Sequence, residues 1–141
     1  MELLDLCRQP PVAGSPGDPV SLLVQKMRDQ NVGVVVIVDE RRRVVGIVTD
    51  RDIALALGTQ RATIATTAAE VMTVNVKTIW SDQGIFNATQ YLLGHQVRRL
   101  PIINRQEELV GLLSVDDLIG LFARELFNVG RALEPALGQR I

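Results

Sequence analysis

The sequence predicts an α/β fold, an α+β two-layer arrangement of two pseudo-symmetric repeats, each a small β-sheet with two helices. Three observations lead there. Sliding the 141-residue chain against itself by 65 positions, the separation of Gly46 from Gly111, sets VVGIVTDRDI on LVGLLSVDDL. The same offset sets VVVIVD (34–39) on RLPIIN (99–104) and keeps apolar character in register over roughly 50 residues. Each copy also alternates a 3.6-residue apolar period with short β-branched runs, as helices laid on strands require.

The first copy opens with a loop holding one short apolar stretch, Pro11-Val12-Ala13. PVSLLVQKMRDQN (19–31) then places Val20, Leu23, Val24 and Met27 on one face of a helix. GVVVIVD is short, β-branched and apolar throughout, which predicts a strand buried on both faces. A charged turn follows, and VVGIV forms a second strand that ends at Thr49-Asp50-Arg51-Asp52 and a closing helix.

In the second copy VKTI (76–79) opens the unit, and a helix from about Gln83 to His95 turns Ile85, Ala88 and Leu92 inward. The strands LPIIN and LVGLL precede a closing helix from about Val115 to Asn128. The segment between the copies, GTQRATIATTAAEVM (58–72), is small and polar, then mildly helical, and suits a connector. The organisation is therefore repeat 1 at 1–57, a linker at 58–69, repeat 2 at 70–128 and a C-terminal tail at 129–141. For that tail a short helix broken near Pro135 and disorder both stay open. One copy has too little structure to close a core alone, so the two pack strand layer against strand layer. Leu118, Ile119, Leu121, Phe122, Leu126 and Phe127 give the last helix more apolar surface than one side of the fold hides, which predicts a homodimer interface.

Composition narrows the function. Apolar residues make up 47% and charged residues 22%, values of a folded globular chain. With a net charge of −1, no nucleic-acid partner and no anionic membrane is expected. The one basic run, Arg41-Arg42-Arg43, sits beside Asp39 and Glu40 between two apolar segments and reads as a solvated turn. A lone cysteine, Cys7, and a start without a basic and apolar leader suit a cytoplasmic location. One histidine, His95, and no cysteine cluster leave no metal site. There is no P-loop, no G-x-G-x-x-G and no nucleophile elbow, so no catalytic residue and no catalytic cofactor is expected. Trp80 and Tyr91 stand alone and read as core or interface filling.

The chemistry that remains lies at Thr49-x-x-Asp52 and Ser114-x-x-Asp117. A hydroxyl at the N-cap with an acid three residues on is the acidic form of a capping box. The same geometry suits a nucleotide. Free N–H groups and the helix dipole attract a phosphate, and an aspartate one turn in accepts hydrogen bonds from ribose hydroxyls. On the residues alone both readings stay open.

GIVTDRDI, GLLSVDDL and HQVRRLPIIN (95–104), set in paired units, resemble a tandem pair of CBS domains, the regulatory module named for cystathionine β-synthase. The resemblance covers roughly residues 3 to 127. It implies two clefts related by pseudo-symmetry, each able to bind an adenosine-containing ligand such as AMP, ADP or ATP, with S-adenosylmethionine or NAD as further options. It also implies a non-enzymatic module that senses its ligand and acts on an unidentified partner protein. Asp52 and Asp117 match the ribose-binding aspartates, and Thr49 and Ser114 the hydroxyls near the phosphates. Pro11-Val12-Ala13 and Val76-Lys77-Thr78 match the segment lining the adenine. Val97-Arg98-Arg99-Leu100-Pro101 match a stretch of adenine contacts and phosphate-reaching cations, with Arg99 the better-suited arginine.

The copies differ here. Gly33-Val34 stand where the second copy has Arg98-Arg99, so the first cleft's own cation would be Arg51, which an ion pair with Asp50 and Asp52 explains equally well. Cys7-Arg8 likewise replace the Met72-Thr73 opening. Unequal sites follow, with Asp117→Ala expected to lose more nucleotide affinity than Asp52→Ala. The alternative function is a ligand-free structural or oligomerisation module with vestigial clefts.

Overall fold

The computed structural model describes residues 1–7 and 9–138. The element order is a 3-10 turn Leu3–Asp5, β1 Ala13–Gly14, α1 Val20–Gln30, β2 Val34–Val38, β3 Val44–Thr49 and α2 Asp50–Gly58, then α3 Ala68–Val71, β4 Ile79–Trp80, α4 Ile85–His95, β5 Arg99–Ile103, β6 Leu109–Ser114 and α5 Val115–Gly138. Two three-stranded sheets result, ordered β1-β2-β3 and β4-β5-β6. In each, the first strand pairs parallel to the second and the second antiparallel to the third.

The 65-residue register reaches into the backbone. α1 and α4 both end on a left-handed residue, Asn31 and Gln96, each at φ 53°. Both hairpins carry another, Arg42 and Glu107, at φ 63° and 65°. Asp39 Oδ1 accepts from the Arg41 and Arg43 amides at 2.9 Å, and Asn104 Oδ1 accepts from the Gln106 and Glu108 amides in the matching turn. The arginine run is thus an exposed hairpin turn, as its acidic neighbours suggested.

Three apolar clusters hold the molecule together. Val35 and Ile37 of β2 face α1 and α2, whereas Val36 and Val38 face the other sheet and meet Leu109 of β6. A strand with a partner on each face must be apolar at every position, and all five residues of β2 are buried. The second sheet repeats this with Leu100 and Ile102 against α4 and α5.

The openings of the two repeats are exchanged. Leu3 is fully buried, yet it lies in the second core among Leu100, Leu113 and Leu118. Ala68, its counterpart, is buried in the first core. The exchange needs a bare backbone at two strand positions. A Cβ added to Gly111 would stand 2.7 Å from Leu4 Cδ2 and 3.0 Å from Cys7 Sγ, and one added to Gly46 would stand 2.3 Å from Met72 Sδ. Cys7 and Met72 therefore do equivalent work, each on the opposite sheet. Arg8, the other half of the Cys7-Arg8 comparison, lies outside the described residues.

Two expectations are corrected. Val24 is 44% exposed, so α1 buries Val20, Leu23 and Met27 without it. The chain beyond Asn128 is not a separate broken helix either: α5 runs unbroken from Val115 to Gly138 with Pro135 inside it. Pro135 forgoes the amide hydrogen bond to the Arg131 carbonyl and crowds that carbonyl with its ring, yet the helix continues through it. On α5, Leu118 and Leu121 are buried, while Ile119, Phe122, Leu126, Val129 and Leu133 are each between 49% and 73% exposed. Their alternating spacing of three and four is that of a helix-pairing stripe.

Candidate ligand-binding clefts

Both helix starts are built as the spacing demanded. Thr49 Oγ1 accepts from the Asp52 amide at 3.1 Å, and Asp52 Oδ2 accepts from the Thr49 amide at 2.9 Å. Ser114 and Asp117 repeat this at 3.2 and 2.9 Å. Each box uses one hydroxyl and one carboxylate oxygen, which leaves the second carboxylate oxygen uncommitted within the box.

Adjacent strands set what surrounds each box. Val34 pairs with Thr49 and Arg99 with Ser114. The Asp50 amide donates to the Gly33 carbonyl at 2.9 Å, and the Val115 amide to the Arg98 carbonyl at the same distance. A Cβ on Gly33 would come within 2.9 Å of Asp50 Oδ2, so glycine makes room there for a carboxylate.

Two clefts open between the repeats. One, of about 370 Å³, is lined by Pro11, Val12, Asn31, Val32, Gly33 and Val34 of the first repeat with Arg99, Leu112, Ser114, Asp116 and Asp117 of the second. The other, of about 360 Å³, is lined by Ile47 and Thr49 of the first repeat with Thr73, Asn75, Val76, Lys77, His95, Val97, Arg98 and Arg99 of the second. Shifting one set by 65 reproduces most of the other. Each cleft is composite, with the capping hydroxyl from one repeat and the apolar opening stretch from its partner.

This redistributes the expected residues. Arg98 and Arg99 face Thr49, not only Ser114, and Lys77 joins them. The first repeat's box therefore has cations without Arg51, which is exposed on the first turn of α2 and lines neither cleft. The assignment of each box to its own repeat's cations is corrected: the packing of the two sheets sets the Thr49 end of one repeat against the Lys77 and Arg98 segments of the other. Asp117 opens on the cleft of Ser114, while Asp52 lines a neighbouring hollow with Arg61 and Glu70. Pro101 is fully buried in β5 and lines neither cleft. Ala13 is packed between the sheets, its carbonyl accepting from Lys26 Nζ at 2.7 Å, and Thr78 is half-buried beside β4. Behind the Ser114 cleft, burial pushes the Cys7 thiol above its ordinary pKa against the lowering effect of a Leu112 backbone hydrogen bond, and the Asp117 charge adds to the rise.

The signature of the CBS domain matches twice, at residues 3–59 and 68–124. The chain belongs to the CBS domain family. It is 28% identical over 116 residues to protein MK0525 of Methanopyrus kandleri, a match covering 82% of this chain and 59% of that one. Among solved structures, it superposes on the CBS domain pair of protein MJ0100 in complex with 5′-methylthioadenosine and S-adenosyl-L-methionine. That comparison has a TM-score of 0.77 and 26% identity, and covers 89% of this chain and 98% of that one. The CBS domain protein PAE2072 of Pyrobaculum aerophilum, complexed with AMP, gives 0.74 and 25%, covering 84% and 90%.

The CBS clefts also hold residues that sequence reasoning passed over. Asn31 and Asn75 sit at left-handed or turn positions beside the opening stretches, and Ile47 and Leu112 are the matching strand residues facing each cleft. His95, expected only to serve a helix end, meets the Tyr91 ring in a tilted contact with centroids 4.7 Å apart and lines the Thr49 cleft. The strand pairing of Val34 with Thr49, extended by the repeat, could have found Ile47. Trp80 is half-buried under the Arg105 guanidinium at 4.7 Å, and Arg105 is in turn held by Asp82. Among the described residues no group of three potential metal ligands forms, and no helix is long and apolar enough to cross a membrane.

Proposed function

We propose that this CBS pair is a regulatory module that binds an adenosine-containing ligand, AMP, ADP, ATP or a related adenosyl compound, and passes its occupancy to a partner protein. The observation that carries the reading is the pair of composite clefts. Each sets a capping hydroxyl against an apolar stretch contributed by the other repeat. The ligands in the MJ0100 and PAE2072 structures support the adenosyl class. In this reading Val12, Gly33 and Val34, or Val76 and Val97, line the base, and the uncommitted oxygen of Asp117 holds the ribose in the Ser114 cleft. The hydroxyls, Arg98 and Arg99 take the phosphate end.

A ligand bridging two repeats binds best at one particular spacing of the sheets, so it biases their arrangement by its differential affinity. The apolar stripe of α5 supports a homodimer as the body that carries this bias outward. The unlike surroundings of the two aspartates support unequal sites. Asp117→Ala is expected to lose more affinity than Asp52→Ala, because Asp117 opens on its hydroxyl's own cleft.

The closed capping boxes favour a second reading, a scaffold whose hydroxyls and carboxylates only start helices. Thermal unfolding with a panel of adenine nucleotides separates the two. A ligand at 100 times its Kd stabilises the fold by about 2.7 kcal/mol. Unchanged melting with every adenosine compound would sink the sensing role and leave the scaffold.

A further inference from the structure

We infer that the two clefts are sorted by charge. The Thr49 cleft takes an adenosine compound carrying phosphates, and the Ser114 cleft takes one without phosphates, uncharged or cationic. The inference rests on the adenosyl-binding reading above and adds the ligand class each cleft selects.

The sorting lies in positions that the repeat makes equivalent. Lys77, Arg98 and Arg99 of the Thr49 cleft correspond to Val12, Gly33 and Val34 of the Ser114 cleft, so all three cations are replaced by uncharged residues. The first turn of α5 adds a carboxylate, Asp116, to the Ser114 cleft, whereas its counterpart on α2, Arg51, lies outside the Thr49 cleft. The lining of the Thr49 cleft holds three cations and no carboxylate. That of the Ser114 cleft holds Arg99 with Asp116 and Asp117. Both clefts have a helix N-terminus, which attracts anions alike, so side-chain charge decides between them. An adjoining hollow sets Arg98 and Arg99 beside Ser114 and Asp116, so a triphosphate there would compete with Asp116 and Asp117 for guanidinium groups that the Thr49 cleft offers free of carboxylates, which disfavours it. A ligand with a neutral or cationic tail meets no such penalty. At the Thr49 cleft the guanidinium forks of Arg98 and Arg99 suit phosphate oxygens, and Lys77 adds a mobile point charge.

Arg99 lines both clefts. A phosphate chain that engages it in the Thr49 cleft draws it away from the Ser114 cleft, which sharpens the preference there for ligands without phosphate.

Calorimetry on the whole chain with ATP, adenosine, S-adenosylmethionine and tripolyphosphate tests this. ATP and adenosine should bind together, with adenosine still titrating into protein saturated with ATP. The double variant Lys77→Ala/Arg98→Ala should weaken ATP and tripolyphosphate by about tenfold or more, since each change removes a hydrogen bond to a charged group, and leave adenosine unchanged. Both substituted side chains are exposed, which spares the core. Raising salt from about 0.1 M to about 1 M, where the Debye length falls from about 10 to about 3 Å, should weaken ATP and spare adenosine. Asp116→Arg should create a second equivalent of bound ATP. If ATP and adenosine displace each other from one site, or the double variant weakens both equally, the sorting is overturned while adenosyl binding stands. Binding of tripolyphosphate alone, with no adenosine compound taken up, overturns the adenosyl reading and the inference with it. Binding of none of the four does the same.

Discussion

Replacing Gly46 by alanine is a direct test of the exchanged openings. Gly46 lies in a strand without a positive φ, so alanine fits its backbone. On that ground alone Gly46→Ala would stabilise the chain by about 0.4–1 kcal/mol, through a less disordered unfolded state. The contact reverses the sign. The new methyl would stand 2.3 Å from Met72 Sδ, 2.7 Å from Cγ and 3.0 Å from Cβ. Swinging the end of the methionine away does not clear its own Cβ, so the whole 72–73 segment must lift. That segment is bonded to β3 by the reciprocal Ile47 and Thr73 amide bonds of 3.1 and 2.9 Å. Overpacking of this kind costs about 1–3 kcal/mol, giving a net loss of roughly 1–2 kcal/mol. Met72→Ala removes the obstruction, so the double variant should lose less than the sum of the two single losses, with a coupling of about 0.5–3 kcal/mol. Urea unfolding of all four proteins measures the cycle. Additivity within about 0.5 kcal/mol, or a stabilised Gly46→Ala, would refute the packing of the second opening on the first sheet.

Leu3→Ala should cost about 2–5 kcal/mol, the penalty of a core position, although it lies three residues from the N-terminus. Its effect on amide exchange should appear in β5 and β6 and spare β2 and β3. Cys7 has a raised thiol pKa in the fold, so the neutral thiol stabilises the folded state. That contribution is whole below the ordinary value of 9.0 and is lost as pH rises through the folded pKa. Denaturation midpoints should therefore fall in alkali, and Cys7→Ala should flatten that fall. Leu126→Glu places a charge on the exposed stripe of α5, 73% exposed in one chain. With the stripe pairing two copies as proposed, light scattering should show a smaller assembly with unchanged melting of the single chain; an unchanged mass would overturn the proposed α5 interface.

The two-repeat plan, the five-residue buried strands and both capping boxes were legible because each rests on a local pattern doubled by the repeat. Period, β-branching and hydroxyl-x-x-acid spacing are properties of a few neighbouring residues. What could not be read was the pairing between repeats. Nothing near Thr49 announces that its cleft is finished by Lys77 and Arg98, because that contact is made by sheet packing across the pseudo-twofold axis. Leu3 and Cys7 fail in the same way: their apolar character was visible, but which core they enter is decided by how the two repeats pack. Val24 was misplaced for a different reason. A four-residue apolar face is wider than the contact that α1 makes with its sheet. Pro135 invited a helix end, but α5 continues through it.

The burial of Leu3 also sets an order of events in synthesis. Its neighbours Leu100, Leu113 and Leu118 are made about 100 residues later, so during that interval of translation the LLDLC segment has no pocket to enter. At about 5–20 residues per second that interval lasts roughly 5 to 20 s, with Leu3, Leu4 and Leu6 open to water or to a chaperone. The first sheet faces a matching wait for Ala68 and Met72, but a shorter one. Residues 3 to 7 thus find their place only after the second repeat has emerged from the ribosome.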